Sequence, residues 1–505
     1  YENRNKIKND QFGDEYRDNY LGNEPIPGIE TEYQIMSQLI PMLPVDMINE
    51  YAKDLISDND TNLVVTLYEQ EKDGKVYPTE AQMQQTINGV RTEKLEAYKD
   101  NVKNEPLLDE TKLPKAGKIV KEKENTKFGY KELTLSNGAR VILKKTNYKD
   151  NEIQFQAMAR GGKSLYGKAD YNNLKCFDFV MGTCGLGNFS NNELQKALLG
   201  KQANVGVGLG QYYQYLSGFS VPKDIETLMQ LIYLTAVSKD EDNYKSTMAM
   251  VAQSLKNKGL SPEAAFGDSL TCAIYNHDAR YTPLEEADLA HISYDRILQI
   301  QKERFANASQ FTFYFVGNFD EATIRPLIEK YIGALPKGKA SKWVSADPIA
   351  KGIVNVNFKR KAETPKAMAS DLYHMPMDYN IENVVLADAA GQALSMVYLK
   401  TIREDASAAY SVGAYGSVSR MGDKAFVQIF DQCPMDYNKA ELALCLLEGG
   451  MKDCDKYIDA DKVEKIKANM LKNLDEELKT NGYWLNVMDE YNETGVDLYT
   501  THRAA

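Results

Sequence analysis

Histidine is the side chain most often recruited to hold a metal or move a proton, and this sequence is poor in it. His277, His291, His374 and His502 are scattered, and none has a histidine partner three or four residues away. A zinc site read from sequence needs donors spaced to converge on one ion, and no such spacing occurs. The six cysteines, Cys176, Cys184, Cys272, Cys433, Cys445 and Cys454, contain no CxxC pair. Their spacing suits neither a zinc knuckle nor a disulfide framework, so they read as small buried hydrophobes. His277-Asp278 fits a pair backing a metal ligand or simply a turn. Gly206-x-Gly208-x-Gly210 lies in an extended region, without the strand-to-helix context of a phosphate loop. Neither a GxSxG elbow nor a Cys/His nucleophile pair is present. The constellation that remains is Arg403 and Tyr410, seven residues apart. A guanidinium and a phenol both donate hydrogen bonds, and both can hold a peptide carbonyl or a developing oxyanion. Alternatively, Arg403 pairs with Glu404 or Asp405 at a helix end, and Tyr410 is an aromatic within a sheet.

The elements around these residues must come from a chain of 505 residues, too long for one hydrophobic core. With 43% apolar and 26% charged residues, the composition is that of a folded globular protein. The net charge of −12 repels phosphate backbones, which argues against nucleic acid as a partner. The apolar stretch 384–399 is interrupted by Asp388, Gln392 and Ser395, an amphipathic helix and not a membrane span. No signal peptide is visible at Tyr1, and an opening on Tyr1-Glu2-Asn3-Arg4 reads as a segment of something longer.

Near the start, Glu32–Ile40 and Pro44–Ile56 read as helices and Asn62–Leu67 as a strand, and Thr79 caps a helix reaching about Asp100. Residues 104–128 are charged and contain Pro106 and Pro114, the composition of a linker. Leu133–Leu143 alternates around Asn137-Gly138, which predicts a β-hairpin. Ile153–Ala159 predicts a third strand, Glu193–Leu198 a helix, Tyr212–Phe219 a strand and Asp224–Val237 a helix. Ser293 opens a helix to Phe305, followed by a strand at Phe311–Phe315. Overlaid on the earlier helix, Asp295 matches Asp46, Ile297 matches Ile48 and Ile300 matches Tyr51, which suggests duplicated domains of about 200 residues. Farther on, Ala409–Tyr415 and Ala425–Phe430 predict paired strands across Met421-Gly422-Asp423. A long helix, Ala460–Leu478, stops near Asn481-Gly482, read as its C-cap.

Several blocks resemble the pitrilysin/insulinase-type metalloproteases, which bind zinc through the inverted motif H-x-x-E-H. They are Leu133–Lys144 (LTLSNGARVILK), Gly187-Asn188-Phe189-Ser190 with Glu193-Leu194, Asp224–Leu234, Phe315–Asp320 and, most specific, Leu399–Ala414 (LKTIREDASAAYSVGA). Their order is similar to that in the second half of the large single-chain members. The resemblance implies an α+β fold of repeated pitrilysin/mitochondrial-processing-peptidase-like domains, helices packed on mostly antiparallel sheets. It maps residues 1–105 to the end of domain two, 106–129 to an inter-half linker, 130–345 to domain three and 346–505 to domain four, cut short at its end.

In a catalytic domain of that family, two His one turn apart bind the metal and the Glu between them is the base. With Gly182-Thr183 as anchor, the corresponding residues here are Asn173, Cys176 and Phe177, none of which can serve. The resemblance therefore implies the non-catalytic, substrate-clamping C-terminal half of a zinc endopeptidase, with no metal or cofactor site in this chain. The zinc would sit in an N-terminal catalytic half of the same polypeptide or in a separate catalytic subunit. Arg403 and Tyr410 would reach across a closed chamber and orient the peptide substrate. Bacterial members of this kind are often exported, which points to the periplasm. Two other readings stay open: a scaffold or partner subunit of a two-subunit peptidase, and a peptide-binding module without peptidase activity.

Overall fold

The computed structural model describes residues 1–55, 61, 63–69, 74–94, 96, 103–234, 237–362 and 364–499, with backbone alone at 237–238. The chain forms two compact units, Tyr1–Val102 and Lys103–Ala505.

The first unit contains helices α1 (Asn9–Gly22), α2 (Ile29–Leu39), α3 (Val45–Asp54) and α4 (Glu80–Thr92). A capping box starts α4: Thr79 Oγ1 accepts from the Gln82 N–H at 3.3 Å, and Gln82 Oε1 accepts from the Thr79 N–H at 2.8 Å. The helix ends at Thr92, short of the expected Asp100; residues 97–100 lie outside the described residues, as does Ile56. The expected strand does not form over 63–67. A β-prone run becomes a strand only when a neighbouring strand accepts its backbone groups, and none of the described residues does so here.

The second unit opens with β1 (Ile119–Asn125), inside the stretch read as a linker. It pairs antiparallel with β2 (Tyr130–Leu135), which forms the expected hairpin with β3 (Arg140–Lys145). Gly138 adopts φ +89° at the turn. Asn137 does more than turn the chain: its amide donates to the carbonyls of Ile332 at 2.8 Å and Leu335 at 3.0 Å. After β4 (Ile153–Arg160) come α5 (Tyr171–Met181), the short β5 (Gly185–Leu186), α6 (Asn191–Ala197), β6 (Ala203–Leu209), β7 (Tyr213–Ser220) and α7 (Ile225–Tyr233). The end of the expected helix over 224–237 is instead a short strand, β8 (Val237–Ser238), paired with β5. Next follow α8 (Glu241–Lys258), α9 (Pro262–Ile274), α10 (Tyr294–Phe305), β9 (Thr312–Gly317) and α11 (Glu321–Leu327). Seven strands make one sheet in the order β1-β2-β3-β9-β4-β7-β6, antiparallel except for the parallel pair β3–β9.

Alternation along these strands creates two cores. Val141, Phe313 and Phe315 pack with Phe177 of α5, Leu228 of α7 and Ile297 of α10. The intervening Ile142, Tyr314 and Val316 face the other way and pack with Trp484 and Met488 from the end of the chain.

The remainder comprises β10 (Lys366–Ala369), β11 (Leu372–Pro376), α12 (Ile381–Tyr398), β12 (Gly413–Met421), β13 (Lys424–Asp436), α13 (Ala440–Lys452), α14 (Cys454–Tyr457), α15 (Ala460–Glu477) and α16 (Asn481–Thr494). The long β13 pairs with β12 on one side, and with β11 and then β10 on the other. Gly422 turns β12 into β13 at φ +68°. The strand expected from Ala409 begins only at Gly413. Helix α12 lies so close to β12 that a Cβ on Gly416 would stand 1.8 Å from the Ala387 carbonyl oxygen. Asn481-Gly482 does not cap α15: Thr480 Oγ1 accepts from the Tyr483 N–H at 3.3 Å and starts α16 there. Helix α16 then supplies Trp484 and Met488 to the outer face of the seven-stranded sheet, and Glu493 meets Arg160 of β4 at 2.7 Å. Among the described residues, no helix is long and apolar enough to cross a membrane.

Candidate functional site

Arg403 lies on a π-helical turn, Leu399–Asp405, that continues α12. Such turns widen the backbone ring by one residue and commonly mark functional positions. Ser407 then adopts φ +47° and reverses the chain. This turn brings Arg403 and Tyr410 together, with the guanidinium carbon 5.2 Å from the centre of the Tyr410 ring.

The support under the pair is built from backbone hydrogen bonds. The Ala408 N–H donates to the Ile402 carbonyl at 2.9 Å, and the Asp436 N–H donates to the Ala408 carbonyl at 2.9 Å, fastening the loop to the end of β13. The Lys439 ammonium donates to the carbonyls of Ala406 at 2.9 Å and Ser407 at 3.0 Å, satisfying acceptors that the helix end leaves open. Ile402, Ala408 and Ala409 are buried with Leu394, Tyr398 and Met435. Arg403 is exposed, and Tyr410 is 85% exposed, so the pair stands on a packed base. Glu404 and Asp405 both pair with Lys400. Tyr410 precedes β12 and is not an in-sheet aromatic.

Beneath this base is a buried polar group that has no local sequence signal. The Tyr398 hydroxyl donates to Asp431 Oδ2 at 3.2 Å and lies 3.1 Å from the Leu447 carbonyl. Asp431 Oδ1 accepts from the Asp371 N–H at 3.0 Å. Burial, reinforced by the charge of Asp371, pushes the Asp431 carboxyl up to about 6, against the opposing pull of these hydrogen bonds. Its partners come from three separate stretches of chain, so only the fold reveals them.

The positions aligned with a zinc motif have a different fate. Asn173, Cys176 and Phe177 all lie on the buried side of α5. Asn173 Oδ1 accepts from the Ser293 N–H at 2.8 Å, tying α5 to the start of α10. Phe177 stacks on Phe305 of α10 with ring centres 6.5 Å apart. Burial pushes the Cys176 thiol up to about 11, which keeps it protonated at neutral pH. An amide, a protonated thiol and a phenyl ring committed to packing do not fit a zinc ion. No group of three or more His, Cys, Asp or Glu among the described residues is placed to hold a metal. His277 and His291 are exposed, with His277 in a turn at φ +55°, and His502 lies outside the described residues. His374 stacks on Phe426 with ring centres 4.5 Å apart, and its Nε2 lies 3.4 Å from Asp347 Oδ1, a pairing that sequence spacing could not suggest.

The chain is similar to known proteins along most of its length. Residues 291–470 match the peptidase M16 inactive domain. A "Zinc protease PQQL-like" from Arabidopsis thaliana is 25% identical over 340 residues, covering 67% of this chain and 33% of that protein. The "Probable zinc protease PqqL" of Escherichia coli (strain K12) is 24% identical over 465 residues, covering 90% of this chain and 49% of that protein. The crystal structure of the periplasmic protease PqqL from Escherichia coli shares the fold with a TM-score of 0.65 at 20% identity, over 96% of this chain and 53% of that one. The chain thus spans half or less of the length of these curated relatives. The resemblance to the C-terminal half of pitrilysin-type proteases holds, as does the expectation of helices on mostly antiparallel sheets.

Proposed function

We propose that this chain, which carries the inactive domain of the M16 peptidases, is the substrate-clamping, non-catalytic half of a zinc-dependent endopeptidase. On this reading residues 1–105 end domain two, 106–129 link the halves, and 130–345 and 346–505 are domains three and four. The catalytic partner is the N-terminal half of the same polypeptide, and the substrate is a peptide enclosed between the halves. Zinc bound in that partner supplies Lewis acidity and an activated water. The crystal structure named as a periplasmic protease supports a periplasmic setting for this chain as well.

The observation that carries the proposal is the exposed Arg403–Tyr410 pair on its rigid loop. Lys400 takes up the neighbouring carboxylates, which leaves the Arg403 fork to meet a ligand. The guanidinium and the phenol each donate to a carbonyl oxygen, fixing the peptide's position and stabilising negative charge as it develops there. The test is to change Arg403→Ala and Tyr410→Phe in the complete protein, then measure peptide cleavage and bound zinc. Cleavage should fall by about a hundredfold for Arg403→Ala, and less for Tyr410→Phe, with zinc content unchanged. Unchanged turnover, or loss of the metal, overturns the orienting role.

A further inference from the structure

Beside the Arg403–Tyr410 pair the surface opens into a pocket of about 510 Å³. Its floor is formed by Ala408, Ala409 and Met435, all buried, and its sides by Met368 of β10, Pro434 of β13 and the ring of Tyr410. These surfaces are methyl, thioether, pyrrolidine and aromatic. The polar lining consists of Lys366 of β10, which is paired with Glu263 of α9, together with Ser407 and Asp436, whose Oδ1 accepts from the Asn438 N–H at 2.8 Å. The floor is the same backbone that the Ala408 and Asp436 hydrogen bonds hold, so the cavity is preformed. Tyr410 belongs to both features, forming one wall of the pocket and half of the donor pair.

We propose that this pocket is a side-chain subsite: it takes one large apolar residue, such as Leu, Met or Phe, of the peptide held by Arg403 and Tyr410. The inference rests on the proposed function and adds a substrate preference to it. The cavity has room for a large side chain, and its mainly apolar lining favours an apolar one over a charged one, which would lose water on entering. Met368 gives the wall a flexible, polarisable surface, so several apolar shapes should be accepted.

The test uses the complete protein, stripped of metal with a chelator so that bound peptides survive, and short fluorescein-labelled peptides read by anisotropy. Each peptide carries a single Leu, moved along an otherwise uniform Ala/Gly chain, with matched Lys and Asp versions. At one position Leu should bind about tenfold more tightly than Lys or Asp. Met368 is half-buried at the pocket wall, so M368D and M368K should fold, which thermal melting checks. M368D should shift the preference at that position to Lys, and M368K should shift it to Asp. Equal binding of all three peptides by the unaltered protein, or a preference that both variants leave unchanged, overturns the subsite. R403A in the same assay separates the two readings. It should weaken every peptide alike and leave the Leu preference intact. If R403A changes nothing while the Met368 variants switch preference, the orienting role falls and the subsite stands. Absence of binding by any peptide overturns both.

Discussion

Two helical segments of this chain hold the residues whose spacing or resemblance raised the question of chemistry, and they handle their side chains in opposite ways. On α5, Asn173, Cys176 and Phe177 turn inward, and every polar or aromatic group among them is committed to α10 or to the core. On the turn that follows α12, Ile402 and Ala408 turn inward, while Arg403 and Tyr410 remain outside. A reactive position needs both a suitable group and access to a ligand. The first segment offers neither, whereas the second offers both and places its packing burden on neighbouring residues. The difference teaches that burial, as much as residue type, decides whether a position can meet a ligand.

The comparison breaks most directly if a zinc motif can be written into α5. Replacing Asn173→His, Cys176→Glu and Phe177→His puts polar groups into a closed core, with a cost of several kcal/mol expected from burial alone. The triple variant should be recovered largely unfolded, with no stoichiometric zinc by metal analysis. A folded protein holding one zinc would show that α5 is still close to a working site. Phe177→Ala isolates the packing part, and chemical denaturation should show a loss of about 3–5 kcal/mol. The same measurement on Tyr410→Ala should show a change of no more than about 0.5 kcal/mol, because its ring is exposed. Similar costs at the two positions would erase the distinction.

A smaller, pH-dependent effect lies beneath the second segment. Asp431 titrates at about 6 in the folded chain, above the range of an unfolded aspartate, with Asp371, Tyr373, Tyr398 and Glu448 around it. Between about pH 4 and pH 6 the folded state therefore binds more protons than the unfolded state. This group's contribution to stability consequently falls as pH rises through that window and is level above it. Asp431→Asn cannot ionise, so its stability relative to the parent should improve across the window by about 3 kcal/mol. Denaturation curves at several pH values check this, and a pH-independent difference would refute it. The smallest effect is chemical. Buried Cys176, with its thiol raised to about 11, should resist alkylation at pH 8, whereas exposed Cys445 reacts. Mass spectrometry of the native protein distinguishes the two.

Local rules served well where local forces decide the structure. The Asn137-Gly138 hairpin and the caps at Thr79 and Ser293 formed as their residues dictate. Arg403 and Tyr410 meet through a π turn and a left-handed serine, which no spacing rule specifies. The strand expected from Ala409 starts four residues later, at Gly413, where pairing with Gln432 of β13 begins. Residues 119–125 looked like linker because their lysines and glutamates suit solvent, yet an edge strand tolerates such charges on its open side. Asn481-Gly482 misled because the preceding Thr480 makes the same dipeptide a helix start. The Asp431 cluster and the apolar pocket are assembled from distant stretches of chain, so no window of sequence contains them.

The fastening of the 406–410 loop bears on affinity as well as position. A flexible loop must surrender conformational freedom each time a ligand docks, and that entropy is subtracted from the binding free energy. Here Lys439, Ile402 and Asp436 remove that freedom when the chain folds. A ligand docking at Tyr410 would therefore have little left to immobilise beyond two side chains, so even a few contacts could hold it.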